Sequence, residues 1–194
     1  MINEALATIE GEVLSQQSEI ISLDKLCRDM HHFTITLFES NERLEWPVIF
    51  KRLVRLTQHE KAKGQLRVMS GLCHAMSVIL EKQGVAAMDE ESVDMLLRCL
   101  HYCFVQVEFP LSLINPCCDL TVLLVQSCDP SADANRCLRS VLQTLCTAIQ
   151  ERRDCSECFV KLLSECTQVS SSFRNELRYS QSSRQVLFDL HAWA

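Results

Sequence analysis

Residues 65–84, QLRVMSGLCHAMSVILEKQG, carry a wide apolar pattern at helical spacing. The apolar side chains recur three or four residues apart, and they are Leu66, Met69, Leu72, Cys73, Met76, Ile79 and Leu80. Gly84 follows at the position where a helix commonly ends on a residue with positive φ. The stretch therefore predicts a helix over 65–83 with a broad face to pack against its neighbours.

The same periodicity continues on both sides of this segment. It predicts further helices over 2–17, 20–40, 47–60, 89–108, 110–128, 132–151 and 155–168. Asp89, or alternatively Ser92, is a candidate N-cap, and Asn115-Pro116 is expected to divide or kink its helix. Residues 120–125 are nearly all apolar and fit a buried helix or a strand, of which the helical neighbours favour a helix.

The glycine and proline content excludes several fold classes. Only 4 Gly and 4 Pro occur in 194 residues, whereas β-hairpins and phosphate-binding loops both depend on glycine. A β-sandwich, a dinucleotide-binding fold and a P-loop enzyme are therefore disfavoured. We predict an all-α fold of about eight or nine helices.

The predicted helices also show a regular spacing. Grouped in pairs, they begin near residues 20, 64, 110 and 155, in steps of 44, 46 and 45 residues. Armadillo and HEAT units repeat at about 40–47 residues, so the chain resembles an armadillo/HEAT-like α-solenoid of stacked antiparallel hairpins. An irregular helical bundle is the alternative. Residues 1–194 are expected to form a single helical domain, which is either a fragment of a longer solenoid or a constitutive member of a complex.

The last 26 residues differ from the rest of the chain. Residues 169–183 are rich in serine and polar side chains, and we expect them to form a mobile segment. Residues 184–194 are predicted to form an amphipathic helix whose apolar stripe consists of Val186, Leu187, Leu190 and Trp193. This stripe is expected to dock on the domain or on a partner.

One basic patch stands out in a chain of net charge −6. Within 17 residues lie Lys51, Arg52, Arg55, His59, Lys61, Lys63 and Arg67. The patch fits a solvated helix face, or a site for an acidic peptide or for nucleic-acid phosphates. The net acidity of the whole chain disfavours non-specific binding to nucleic acid or to a membrane surface.

The 12 cysteines have three interpretations. Most follow apolar helical stripes, which is typical of thiols packed in a core and predicts an intracellular protein of the cytoplasm or nucleus. The pair Cys155 and Cys158 has the CxxC spacing of a zinc site, although no second pair stands nearby. A disulfide framework is disfavoured because such frameworks belong to small secreted domains with little core.

Catalytic patterns are sparse. His59-Glu60 begins a zinc-protease motif, but Lys63 occupies the place of the second histidine. We therefore predict a non-catalytic module without cofactors that binds a protein partner, as a peptide or an amphipathic helix, in the manner of a scaffold. A nucleic-acid-associated subunit that uses the basic patch is the alternative, and a zinc-stabilised domain is the third hypothesis.

Overall fold

The structure is a computed structural model that describes residues 2–14, 23–40, 44–84, 88–106, 110–128, 132–180 and 184. Within these ranges the chain is helical and forms no strand, so the all-α prediction is confirmed. The helical segments are α1 (Ile2–Leu14), α2 (Leu23–Glu39), α3 (Trp46–Thr57), α4 (Glu60–Lys63), α5 (Leu66–Gln83), α6 (Glu90–Val105), α7 (Leu111–Ser127), α8 (Ala132–Glu151), α9 (Ser156–Val169) and α10 (Ser171–Tyr179). The short helix α4 is a single turn, and the undecided residues 120–125 lie within α7.

The helices pack in two rows. The first row consists of α2, α5, α7 and α9, and the second of α1, α3, α6, α8 and α10, with each helix against the next in its row. Between the rows, α1 packs on α2, α3 on α5, α6 on α7 and α8 on α9. Most contacts thus join successive helix pairs, so each pair covers an apolar face of the next.

The spacing of the first row agrees with the predicted repeat, but the pairing differs from it. Helices α2, α5, α7 and α9 begin at residues 23, 66, 111 and 156, which are 43, 45 and 45 residues apart. The predicted pairs joined α2 to α3, α5 to α6 and α7 to α8, whereas the main contacts between the rows are shifted by one helix. A period gives the length of a unit but does not identify its first helix. The armadillo/HEAT resemblance itself stays a prediction.

Helix α5 lies at the centre of this arrangement. Eleven of its 18 residues are buried, because it packs against α2 and α7 within its row and against α3 in the other. Gly71 faces α2, and a Cβ atom at this position would make an ordinary van der Waals contact of 3.4 Å with the Met30 side chain. The wide apolar pattern of residues 65–83 is thus accounted for by contacts on several sides.

Local sequence signals explain several helix ends. The Asp89 carboxylate accepts a hydrogen bond of 2.8 Å from the backbone N–H of Ser92, so Asp89 is the N-cap of α6. Pro47 stands in the first turn of α3, where its missing N–H leaves no helical bond unmade. Gly84 ends α5 with a φ of 59°, a conformation that side chains other than glycine rarely adopt.

Pro116 does not divide its helix as the sequence predicted. Helix α7 runs through it from Leu111 to Ser127. A proline inside a helix removes one hydrogen bond, the one to the carbonyl four residues earlier. Because Pro116 lies in the second turn, that carbonyl belongs to the first turn, and the rest of α7 keeps its hydrogen-bonded register.

Part of the polar segment 169–183, for which the sequence predicts mobility, is helical. Helix α10 occupies Ser171–Tyr179, with the Ser170 hydroxyl accepting from the backbone N–H of Phe173 as its N-cap. Phe173 is fully buried, and α10 packs against α8 and α9. A single buried aromatic residue and a good cap thus order a segment whose composition is otherwise polar. Residues 181–183 lie outside the described residues, as does the predicted helix 184–194 apart from residue 184.

An aromatic pair joins α6 to α9. The rings of Phe104 and Phe159 meet edge to face with centroids 5.3 Å apart, and both side chains are buried. Such a pair adds about 0.5–1.5 kcal/mol to the stabilisation from burial alone. It ties together helices from the two rows.

We expect Phe159→Ala to lower the free energy of unfolding by about 3–5 kcal/mol, because it removes a buried ring and leaves a cavity. Val160→Ala is the matched control on the same helix, since Val160 is 37% exposed, and it should cost less than about 1 kcal/mol. Urea denaturation followed by circular dichroism measures both values. Equal losses for the two variants would contradict the packing described here.

Candidate functional site

Three residues of the basic patch predicted at residues 51–67, Lys51, Arg52 and Arg55, form ion pairs with other helices. Lys51 Nζ lies 2.7 Å from an Asp89 carboxylate oxygen and 2.6 Å from one of Glu91. Arg55 lies 3.7 Å from Glu91. These contacts link α3 to the N-terminus of α6 and offset much of the positive charge.

The guanidinium group of Arg52 makes a bidentate contact with α1. Its Nε and Nη2 atoms donate to the two carboxylate oxygens of Glu10 at 2.8 and 2.6 Å, and Nη1 donates to Asn3 at 3.3 Å. Both Arg52 and Glu10 are about three-quarters covered, which reduces solvent screening of the pair. Arg52 thus acts as a bridge between α1 and α3.

The remaining members of the patch have different surroundings. Lys63 Nζ pairs with Glu60 at 3.1 Å, and the Lys63 carbonyl accepts from the Tyr102 hydroxyl at 2.8 Å. His59 is half-buried and Arg67 is exposed. The side chain of Lys61 lies outside the described part of the chain.

The predicted zinc ligands Cys155 and Cys158 have separate surroundings. Cys155 is buried and lies 3.0 Å from Arg152 Nη2 and 3.1 Å from an Asp154 carboxylate oxygen. Cys158 is half-buried, beside Cys118 of α7. Among the described residues, neither belongs to a group of three side chains that could hold a metal ion.

A thiol cluster occurs elsewhere, where three helices meet. It consists of Cys73 from α5, Cys99 and Cys103 from α6, and Cys117 from α7. The Sγ atoms of Cys73, Cys103 and Cys117 all lie within 4.8 Å of one another, and Cys99 Sγ lies 3.9 Å from Cys73 Sγ. These four residues are called the thiol cluster below.

The thiol cluster is enclosed in the core. Its side chains are between 0% and 2% exposed. A contact with the Cys117 thiol and burial raise the pKa of Cys103 well above its usual range, and a contact with Cys103 raises the pKa of Cys73. The thiols of the cluster are therefore neutral at physiological pH and pack as small apolar groups.

Sequence reasoning missed this cluster because its members come from three helices and each stands on a core stripe. The spacing of Cys99 and Cys103 was the one local signal, since residues four apart lie on the same face of a helix. Nothing in the spacing to Cys73 or Cys117 indicates that they meet. The cluster depends on how α5, α6 and α7 are arranged in space.

A second feature is a groove of about 320 Å³ on the outside of α2 and α5. Its lining consists of His31, Thr34, Ile35, Phe38, His74, Ser77, Val78, Glu81 and Asp119. Two of these residues are exposed apolar side chains, with Ile35 41% and Phe38 65% exposed. They lie three residues apart and so face the same side of α2.

The end of α2 beside the groove is held by Lys82 of α5. Its ammonium group donates to the carbonyls of Phe38 and Ser40 at 2.6 and 2.8 Å. It also lies 5.9 Å from the ring centroid of Phe38 and 5.8 Å from that of Trp46, within the range of cation–π attraction. The exposed Phe38 ring is therefore positioned by its neighbours.

Comparison with known proteins gives no assignment. The chain matches no protein-family model, no curated protein and no solved structure. Among the described residues, no helix has the length and apolar character needed to cross a membrane. The C-terminal docking residues predicted from the sequence, Val186, Leu187, Leu190 and Trp193, lie outside the described residues.

We expect Arg52→Ala to lower the free energy of unfolding by about 1 kcal/mol, since it removes a partly buried, two-pronged contact. Arg67→Ala is the control from the same patch and should change the value by less than about 0.5 kcal/mol, because Arg67 is exposed. Urea denaturation at low ionic strength measures both. If the two variants behaved alike, the structural role assigned to Arg52 would be wrong.

The Lys51–Asp89 contact should make stability depend on acid pH. The hydrogen bond from Lys51 and that from Ser92 hold the pKa of Asp89 below its usual range. A carboxyl group with a lowered pKa stabilises the fold above its unfolded pKa of about 3.9 and loses that contribution as the pH falls further.

The wild-type chain should therefore exceed Asp89→Asn in free energy of unfolding at pH 7, and the difference should shrink as the pH falls from about 5 to about 3. Asparagine is a fair substitute because it can still cap α6. Urea denaturation across this pH range measures the difference. A difference that stayed constant or widened in acid would contradict the contact.

Proposed function

We propose that this chain is a non-catalytic protein-interaction module that binds an amphipathic helix of a partner protein in the groove between α2 and α5. The exposed apolar pair Ile35 and Phe38 beside this groove carries the proposal. A partner helix would place apolar side chains, spaced three and four residues apart, against Ile35 and Phe38. The order of helices in two rows supports the armadillo/HEAT-like resemblance, in which such surfaces hold partner segments.

The size of the groove suits a few side chains. A volume of about 320 Å³ lies at the lower end of the roughly 300–1,000 Å³ typical of small-molecule pockets. Helices α2 and α5, of 17 and 18 residues, extend beside it and offer a ridge of about 25 Å for further contacts. A partner helix could thus insert apolar side chains while its backbone lies along this ridge.

The polar lining favours a protein over a nucleic acid. The described lining includes the carboxylates Glu81 and Asp119 and the imidazoles His31 and His74, and it contains neither Lys nor Arg. Phosphates are bound mainly by Lys and Arg. A partner helix with basic side chains beside its apolar ones would fit this lining.

The nucleic-acid alternative receives less support from the structure. It requires cations that are available to phosphates, whereas Lys51, Arg52 and Arg55 are occupied by carboxylates of α1 and α6. The buried free thiols support the cytoplasm or nucleus as the compartment, because thiols persist in reducing surroundings.

Site-specific photo-cross-linking tests the proposal. A photoreactive phenylalanine derivative replaces Phe38 in the groove, or Val48 on α3 as the control, since Val48 is likewise exposed, at 49%. We expect partner adducts from position 38 in cells, and we expect Ile35→Glu to lower their yield by at least about tenfold, because a charge would be buried in an apolar contact.

Three outcomes of the cross-linking experiment would contradict binding of a partner helix in the groove. Identical adducts from positions 38 and 48 would indicate non-specific encounters. Adducts that are insensitive to Ile35→Glu would place the partner outside the groove. Adducts to RNA or DNA in place of protein would favour the nucleic-acid alternative.

A further inference from the structure

We propose that the thiol cluster, Cys73, Cys99, Cys103 and Cys117, is a structural zinc site that binds one Zn²⁺ ion at the junction of α5, α6 and α7. This proposal is independent of the function proposed for the groove. It replaces the CxxC pair of the sequence analysis with four cysteines that only the fold brings together.

The distances fit a single ion. In a tetrahedral site with Zn–S bonds of about 2.3 Å, the sulfur atoms lie about 3.8 Å apart. Cys99 is the outlying ligand, since its Sγ lies 3.9 Å from Cys73 Sγ but outside the group of sulfur atoms within 4.8 Å of one another, so it must move toward Cys103 and Cys117 to complete a tetrahedron. Cys73, Cys103 and Cys117 have their sulfur atoms within 4.8 Å of one another, so a contraction of about 1 Å or less brings them to zinc-site spacing.

The donor set indicates zinc among the biological metals. Four sulfur ligands in a tetrahedron suit Zn²⁺ or iron–sulfur chemistry, whereas Mg²⁺ and Ca²⁺ require oxygen ligands. The sulfur atoms of Cys73, Cys103 and Cys117 lie within 4.8 Å of one another, which leaves no room among these three for several irons and bridging sulfides. Four protein ligands also fill the coordination shell, which is the property of structural sites.

Helix geometry explains how the ligands converge. Cys99 and Cys103 are four residues apart on one face of α6, so a single helix provides two ligands. Helix α5 supplies Cys73 and helix α7 supplies Cys117. These two helices pack closely against each other, which brings the two side chains together. An ion at this point would join the central helix α5 to a helix of the other row.

Metal binding would change the charge of the cluster. Binding of Zn²⁺ to four thiols releases four protons and leaves a site of net charge −2.

The test measures metal in the full chain. The protein is purified with a phosphine reductant, and zinc is quantified by mass spectrometry. We expect about one zinc per chain in the wild type and less than about 0.1 in Cys103→Ser/Cys117→Ser. The control Cys146→Ser/Cys166→Ser removes two buried thiols that lie outside the cluster, and it should retain about one zinc.

A second measurement covers the case in which the cluster variant does not fold. Wild-type chain is unfolded, stripped of metal and refolded with Co²⁺, which reports tetrahedral thiolate ligation through intense visible absorption. We expect the signal to saturate at about one Co²⁺ per chain and to disappear when Zn²⁺ is added.

Three results would overturn the proposal. Wild-type chain that contains less than about 0.1 zinc and gives no cobalt signal has no such site. Equal zinc contents in the cluster variant and the control would place the ion elsewhere. A Cys73–Cys99 disulfide, found by peptide mapping in zinc-free chain purified without any reductant, would show that the cluster serves oxidation instead.

Discussion

The burial of α5 is the constraint on which the rest of this structure depends. A helix with an apolar face this wide cannot lie on a surface, so it requires partners on several sides at once. Helices α2 and α7 cover it within one row, and α3 covers it from the other. At Gly71, α5 lies against the Met30 side chain of α2. The two rows follow from this need, because every neighbour of α5 must in turn bury its own apolar face.

Charged residues at the surface also form contacts between neighbouring helices. Three of the cations that form a patch in the sequence, Lys51, Arg52 and Arg55, are paired with carboxylates that belong to α1 or to the start of α6. Arg52 meets Glu10 of α1, and Lys51 meets Asp89 and Glu91 of α6. Contacts of this kind are individually modest in free energy, but they set how α1 and α6 lie beside α3. A cluster of like charges in one helix can thus be a sign of helix packing instead of ligand binding.

The two candidate sites differ in the way the fold produces them. The groove lies on the surface, where α2 leaves Ile35 and Phe38 uncovered while α5 provides the opposite wall. The thiol cluster lies inside, where α5, α6 and α7 converge. An ion there would stabilise the central part of the domain and leave the groove free for a partner. The proposals for partner binding and for zinc are therefore compatible.

The sequence by itself determined the helices other than α4 and α10, their approximate bounds and the spacing of about 45 residues, because these depend on local periodicity and capping. It predicted the Asp89 cap and the helix around Cys73, since both signals lie within a few residues of one another. It could not show that Pro116 is tolerated, that Phe173 finds a buried position, or which helices pair. These outcomes depend on contacts between residues far apart in the chain. The zinc hypothesis from the sequence rested on the local spacing of Cys155 and Cys158. Cys73, the pair Cys99 and Cys103, and Cys117 are far apart in the chain, and only the tertiary structure brings them together.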